Sequence, residues 1–285
     1  MGHCLVCRGD YRESKYPGLL RCSSCGFMTA DVALSSTELR ALYGERYFRG
    51  EEYRDYSAER PTLEKHFRAR LNQLLKHIPE ARSKHLLEIG CAYGFFLDLA
   101  KDYFASVEGV DVASHAIRYA NEHLNVAATE ADFLDYTPRN SIDIVCMWDT
   151  VEHLQSPHAY IEKLARILSP GGIVALTTGD IGSIVARLRG SRWRQIHPPT
   201  HLHYFSRRTL TELLRLQGFR VLEARACGQY RTLDTMAYVT LVIKRNRQGL
   251  YEMLKKTGLL RFSLYLNLYD IVYVIAEKRS DGTAA

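Results

Sequence analysis

Four of the seven cysteines crowd into the first 25 residues, as Cys4-x-x-Cys7 and Cys22-x-x-Cys25-Gly26. Each pair supplies two thiolates, and together they make a closed tetrahedral Cys4 site for zinc. With all four positions filled by protein, the metal is expected to be structural and not catalytic. Residues 1–30 hold almost no apolar core of their own, and binding zinc supplies ~10–16 kcal/mol of apparent free energy, enough to fold such a piece. The other three cysteines, Cys91, Cys146 and Cys227, lie in or beside apolar runs and read as small buried hydrophobes.

A second chemical signature is Glu88-Ile-Gly90-Cys-Ala92-Tyr-Gly94, which follows an apolar run and opens a helical one. Gly90 permits a tight turn, and the small residues at 92 and 94 let a ligand approach the backbone. Asp111 ends the next apolar run, where a carboxylate can accept hydrogen bonds from a ribose diol. The spacing is not Gly-x-Gly-x-x-Gly, and Glu88 would repel a pyrophosphate. It suits a cationic ligand or an amino group.

The third is His197-Pro-Pro-Thr-His201-Leu-His203, with three histidines in seven residues. No nearby carboxylate completes a metal site there. A metal site still stands as one of three readings, beside capping histidines in a structural loop and a general base or acceptor-orienting histidine.

These residues need elements to hold them. Pro61 can sit in the first turn of a helix, with Leu63, Phe67, Leu71, Leu74 and Ile78 on one face. Short apolar runs over 86–89, 107–110, 142–148, 173–177, 221–226 and 271–276 read as strands, alternating for the most part with helical segments. That alternation predicts a mostly parallel sheet with helices on both faces, and ligands at the carboxyl ends of its strands. The chain divides into a zinc-binding module (1–30), a Tyr-rich connector or lid (31–60) with Tyr43, Tyr47, Phe48, Tyr53 and Tyr56, and a main domain (61–285). The main domain carries a helical excursion over 229–269 before its last strand.

The main domain resembles the class I S-adenosylmethionine-dependent methyltransferases. The likeness rests on five motifs in the correct order: the Glu88–Gly94 loop, with Ala92 replacing the family's middle glycine; Asp111; Ala131-Asp132-Phe133; the run Asp143 to Leu154; and Leu-Ser-Pro-Gly-Gly before the fifth strand. It implies an α/β fold with a Rossmann-like seven-stranded sheet whose last strand is antiparallel. It also implies an S-adenosylmethionine site built from Glu88, Gly90, Ala92, Gly94, Asp111, Val112, Asp132, Phe133 and Trp148. Asp149, Glu152 and His153 then face the methyl donor. The stretch His201-Leu-His203-Tyr-Phe-Ser206 resembles a segment of small-molecule methyltransferases, including sugar C-methyltransferases that carry a four-cysteine zinc module. His201, His203 and Asp149 are accordingly the expected catalytic residues. Pro199 and Thr200 replace that family's preceding His-Glu, so an oxygen acceptor is favoured over carbon.

The net charge of +6 is a misleading average: residues 1–60 sum to 0, residues 61–180 to −5 and residues 181–285 to +11. Acids cluster where a cationic sulfonium would sit. Bases cluster where the acceptor would enter, which points to an anionic, phosphate-bearing small molecule such as a sugar nucleotide or lipid-linked precursor. The neutral cysteine module argues against a nucleic-acid backbone as its partner. The start Met1-Gly2-His3-Cys4 has no apolar leader, and no run reaches the ~18 apolar residues of a membrane span. A cytoplasmic protein is expected. The excursion 229–269 is read either as fold packing or a homodimer contact, or as an interfacial helix making peripheral membrane contact.

Overall fold

The computed structural model describes residues 2–44, 48, 56–243 and 245–279. Tyr47 and Tyr53 of the Tyr-rich segment lie outside these residues.

The chain begins with three short strands, β1 (Tyr11–Glu13), β2 (Leu19–Cys22) and β3 (Met28–Ala30), and the helix α1 (Ser36–Leu42). The main domain follows: α2 (Arg60–Leu75), β4 (His85–Ile89), α3 (Phe95–Ala100), β5 (Ser106–Asp111), α4 (Ser114–Leu124), β6 (Ala127–Glu130), β7 (Ile142–Trp148), α5 (Pro157–Ile167), β8 (Leu168–Gly179), α6 (Ile184–Arg189), β9 (His203–Tyr204), α7 (Arg207–Leu216) and β10 (Phe219–Ala226). The chain ends with β11 (Gln229–Thr232), α8 (Leu233–Ala237), a π-helical turn (Tyr238–Ile243), α9 (Gln248–Lys256), β12 (Ser263–Leu266) and β13 (Ile271–Lys278).

The large sheet has seven strands in the order β10-β13-β8-β7-β4-β5-β6. The strands from β8 to β6 are mutually parallel, and β13 runs antiparallel to both of its neighbours. This is the expected Rossmann-like sheet with its reversed last strand. Strand β7 shows why it is covered on both faces. Ile144, Cys146 and Trp148 join the core under α2, α3 and α4, whereas Val145 and Met147 join the core under α5 and α7. Alternate residues of a strand point to opposite faces, so an unbroken apolar run needs two helical layers. Burying each such side chain contributes about 1.5–3 kcal/mol.

Two elements differ from the expectation. The six apolar runs are joined by a seventh strand, β6, which pairs with β5 at the edge and whose four residues AATE bury only Ala128 and so carry no periodic signal. The excursion is not wholly helical, because β11 and β12 pair antiparallel from Gln229↔Leu266 to Thr232↔Ser263 and close it with a hairpin-like ribbon.

The cysteine module does not stand apart. Its strands form a four-stranded sheet, β1-β2-β3-β9, whose last strand comes from the histidine segment. Phe27, Cys4 and Val6 join the core under α5 and α7, while Tyr16, Leu19 and Met28 pack with Trp193 and Tyr204. Among the described residues, no helix is long and apolar enough to cross a membrane.

Candidate active site

The carboxyl ends of β4, β5, β6 and β7 open into a cleft of about 690 Å³, walled on the far side by the histidine segment, the start of α2 and the excursion. That is where an open parallel sheet leaves room for a ligand.

The loop after β4 forms the floor. Gly90, Ala92 and Gly94 all have positive φ, at 76°, 44° and 75°. Gly90 has a second constraint: a Cβ there would lie 2.6 Å from the Thr150 side chain. The Asp111 carboxylate holds the loop, accepting from Ala92 N at 2.8 Å through Oδ2 and from Ala113 N at 2.9 Å through Oδ1. Asp132 accepts from Leu134 N at 2.8 Å and from the Tyr160 hydroxyl at 2.6 Å.

The residues expected to hold a nucleoside therefore divide. Gly90, Ala92, Asp111, Val112, Asp132, Phe133 and Trp148 wall the cleft, whereas Glu88 and Gly94 do not. Gly94 caps α3, and Glu88 lies behind the loop, 2% exposed, with Oε2 lacking a hydrogen-bond partner. Burial, reinforced by Asp111, pushes the Glu88 carboxyl well above its ordinary pKa. The Phe133 ring packs in the core, 5.4 Å from Tyr160, and Trp148 stacks on Tyr273.

Asp149, expected to be catalytic, is already engaged. It follows the last residue of β7 with a φ of 51°. Arg70 Nη2 lies 2.7 Å from Oδ2, and the Thr177 hydroxyl donates to Oδ1 at 2.8 Å. Burial alone would raise its pKa, but Arg70 and Thr177 hold it below the ordinary value. A carboxylate held this way makes a poor base and a good anchor. Arg70 was missed by the motif reading. Its signal was a charged residue on the apolar face of α2, three positions after Phe67.

The histidines separate as well. His201 lines the cleft; His203 does not. Because β9 pairs with β3, His203 turns toward the cysteine module, with Nδ1 3.1 Å from the Thr29 hydroxyl. His203 thus sits in the module's sheet and away from the cleft in which it was expected to act.

His201 instead meets two residues from the loop after β7. The ligand atoms of Glu152, His153 and His201 lie within 4.8 Å of one another. The carboxylate absent from the histidine segment is thus supplied from further up the chain, and the neighbouring pair Glu152-His153 was its signal. The main chain fastens the two segments, since Leu202 N and His203 N both donate to Glu152 O, at 2.9 and 3.0 Å. His201 Nδ1 donates to Gln195 O at 2.9 Å and His153 Nδ1 to Thr200 O at 2.7 Å; a carbonyl only accepts, which assigns the tautomers. Tyr43 of the Tyr-rich segment donates to the same Thr200 carbonyl at 3.1 Å. Burial, with His153 and His197 alongside, pushes His201 well below the usual histidine pKa, and burial brings His153 to about 4. Burial and the nearby Asp149 raise Glu152 to about 8.

The basic character of the C-terminal third enters the cleft through Arg194 and Arg231. Arg194 Nη2 lies 3.0 Å from the Asp270 carboxylate, so part of that charge is neutralised within the fold.

In the module, the Sγ atoms of Cys4 and Cys25 lie 3.6 Å apart and those of Cys7 and Cys22 3.5 Å apart. A tetrahedron of ~2.3 Å metal–sulfur bonds has edges of about 3.8 Å, so the four thiols are spaced to hold a zinc ion. Cys91 and Cys146 are buried, as expected, and Cys227 is half-buried.

A family model described as a methyltransferase domain matches residues 60–224. Over 132 residues the chain is 27% identical to the ubiquinone biosynthesis O-methyltransferase of Idiomarina loihiensis, covering 44% of this chain and 54% of that protein. The enzyme of the same name from Albidiferax ferrireducens is 28% identical over 112 residues, 36% of this chain and 44% of its own. The chain thus spans about half the length of these curated relatives. The crystal structure of the Bacillus subtilis YcgJ protein superposes with a TM-score of 0.51 at 15% identity, over 75% of this chain and 100% of that one, which is a likeness of fold.

Proposed function

The chain belongs to the methyltransferase-domain family of class I, S-adenosylmethionine-dependent proteins, and from that premise we propose that it methylates a hydroxyl oxygen of a small, polar, anionic acceptor. One observation carries this reading: a nucleoside-shaped half (Gly90, Ala92, Asp111, Asp132) and a histidine–carboxylate half (Glu152, His153, His201) share one cleft. S-adenosylmethionine bound there supplies an electrophilic methyl group on a sulfonium.

The residues present fit that group. The loop of Gly90 and Ala92 brings backbone close to it, Asp111 takes the ribose diol, and Asp132 with Val112 flanks the base. Glu88, with an unpartnered buried oxygen, lies behind the loop, where burial favours its neutral form until a cationic ligand draws the proton off. Trp148 and Phe133 exclude water from the floor. On the opposite side His201 and Glu152 orient the acceptor hydroxyl. Arg194 and Arg231 give the anionic part of the acceptor its counter-charge. The relatives named as O-methyltransferases support an oxygen acceptor, and a sugar, sugar nucleotide or lipid-linked precursor fits the charge. The Cys4 cluster is read as holding one structural zinc.

The test is methyl transfer from labelled cofactor into cell extract split into small-molecule, lipid and RNA fractions. Label is expected in an acidic small-molecule or lipid-linked fraction as an alkali-stable ether. Label confined to RNA overturns the reading. His201→Ala is expected to keep cofactor binding and lose turnover.

A further inference from the structure

Glu152, His153 and His201 are more than acceptor-side polar groups. We propose that they form a second metal site, distinct from the cysteine cluster, which binds one first-row divalent cation and presents it to the acceptor hydroxyl. The proposal deepens the methyl-transfer reading and rests on it for the use of the metal, not for its binding.

Three observations on geometry carry it. The three ligand atoms come within 4.8 Å of one another, a span that a single ion with ~2.0–2.2 Å bonds can bridge. Both imidazoles have Nδ1 bonded to a backbone carbonyl, Gln195 O for His201 and Thr200 O for His153. Metal-bound histidines are held in this way, with the second ring nitrogen fixed toward the ion. Glu152 is 3% exposed and its Oε2 has no hydrogen-bond partner, although buried carboxylate oxygens are ordinarily satisfied. A cation bridging the three would satisfy it.

Two imidazoles and one carboxylate suit Mn²⁺, Fe²⁺, Co²⁺ or Zn²⁺ better than Mg²⁺, and three protein ligands leave coordination positions open. The site lies in the wall of the cleft and opens to it. The acceptor class this favours carries two adjacent oxygens, such as a vicinal diol or a catechol, able to fill neighbouring open positions. On coordination the acceptor O–H bond breaks, its electron pair stays on oxygen and the proton leaves to bulk water. A bound cation lowers the pKa of such an oxygen at neutral pH.

Mn²⁺ is the probe, because it favours oxygen and imidazole over thiolates and so leaves the cysteine cluster alone. Zinc-loaded full-length protein is titrated with Mn²⁺ and followed by electron paramagnetic resonance, with cofactor affinity measured calorimetrically on the same samples. One bound Mn²⁺ with nitrogen hyperfine coupling is expected in the wild type. Affinity should fall by more than about tenfold in Glu152→Gln and His201→Asn, and hold in His203→Gln. The nitrogen coupling is read on unaltered protein, so the test survives a variant that folds poorly. No Mn²⁺ binding, binding without nitrogen coupling, or Glu152→Gln binding as the wild type does, overturns the site. Loss of cofactor binding in the unaltered protein strikes the methyl-transfer reading instead, so the two failures are told apart.

Discussion

The Thr29 hydroxyl lies 3.1 Å from His203 Nδ1, on paired strands that join the cysteine module to the segment carrying His201. The tie is reinforced by Ala30 N donating to Leu202 O at 2.7 Å. The module therefore braces the cleft wall proposed to take the acceptor, 174 residues away in sequence. Thr29→Val should cost about 1 kcal/mol of stability. It should raise the acceptor KM several-fold while leaving S-adenosylhomocysteine affinity unchanged. Denaturant unfolding, steady-state kinetics and calorimetry check the three parts, and a matched loss of cofactor affinity would count against the brace.

Gly90 answers two constraints at once, a φ of 76° and a Cβ position 2.6 Å from Thr150. Gly90→Ala is expected to destabilise the protein by about 1–3 kcal/mol and to weaken cofactor binding, since the loop must shift to admit the methyl group. Adding Thr150→Gly should relieve the clash and leave the backbone strain. Calorimetric titration of the double variant should therefore recover part of the affinity, and full recovery would show that φ is unimportant here.

Arg70 and Asp149 form an ion pair with the guanidinium buried and the carboxylate partly open to the cleft. Removing one partner strands the other charge. Arg70→Met should cost about 2–3 kcal/mol, toward the low end for a broken buried pair because Asp149 is 36% exposed. Asp149→Asn keeps the Thr177 contact and leaves Arg70 unpaired, and the double variant should lose less than the sum of the two. Additive losses in urea unfolding would mean that the pair is uncoupled.

His203 is buried neutral, its pKa pushed down to about 4 by burial. The unfolded chain takes up a proton near pH ~6.5 while the folded one does not. Stability is therefore intact above about pH 6.5 and is lost as pH falls toward 4, with a slope of up to about 1.4 kcal/mol per pH unit from this residue. His203→Gln should flatten the fall in urea midpoint between about pH 7 and pH 5. An unchanged slope would assign the acid sensitivity elsewhere.

The sheet was legible because its central strands hold unbroken apolar runs, such as Ile144 to Trp148, in which every residue is buried. Strand β6 was not, since Ala127-Ala-Thr-Glu130 packs at an edge and buries one side chain. The loop proposed to hold the nucleoside was legible because local backbone geometry dictates residue type, as the positive φ of Gly90 does. The acceptor half is different in kind. Glu152 and His201 meet only through tertiary contact, Arg70 reaches Asp149 from a helix that precedes the sheet, and strand pairing with Thr29 sets where His203 lies. No local pattern encodes those meetings.

The excursion leaves and rejoins the sheet at adjacent points. Ala226 pairs with Val272 across neighbouring strands, and Cys227 N donates to Ile271 O at 3.0 Å. Everything between Cys227 and Ile271 is thus an insertion into what would otherwise be a simple strand-to-strand connection. Its far end is fixed by Asp270, buried and accepting from Trp193 Nε1 at 2.9 Å, while Gln229, Tyr230 and Arg231 near its start wall the cleft. In the enzyme proposed here, exchanging this one contiguous cassette would change part of the acceptor wall and leave Gly90, Ala92, Asp111 and Asp132 in place.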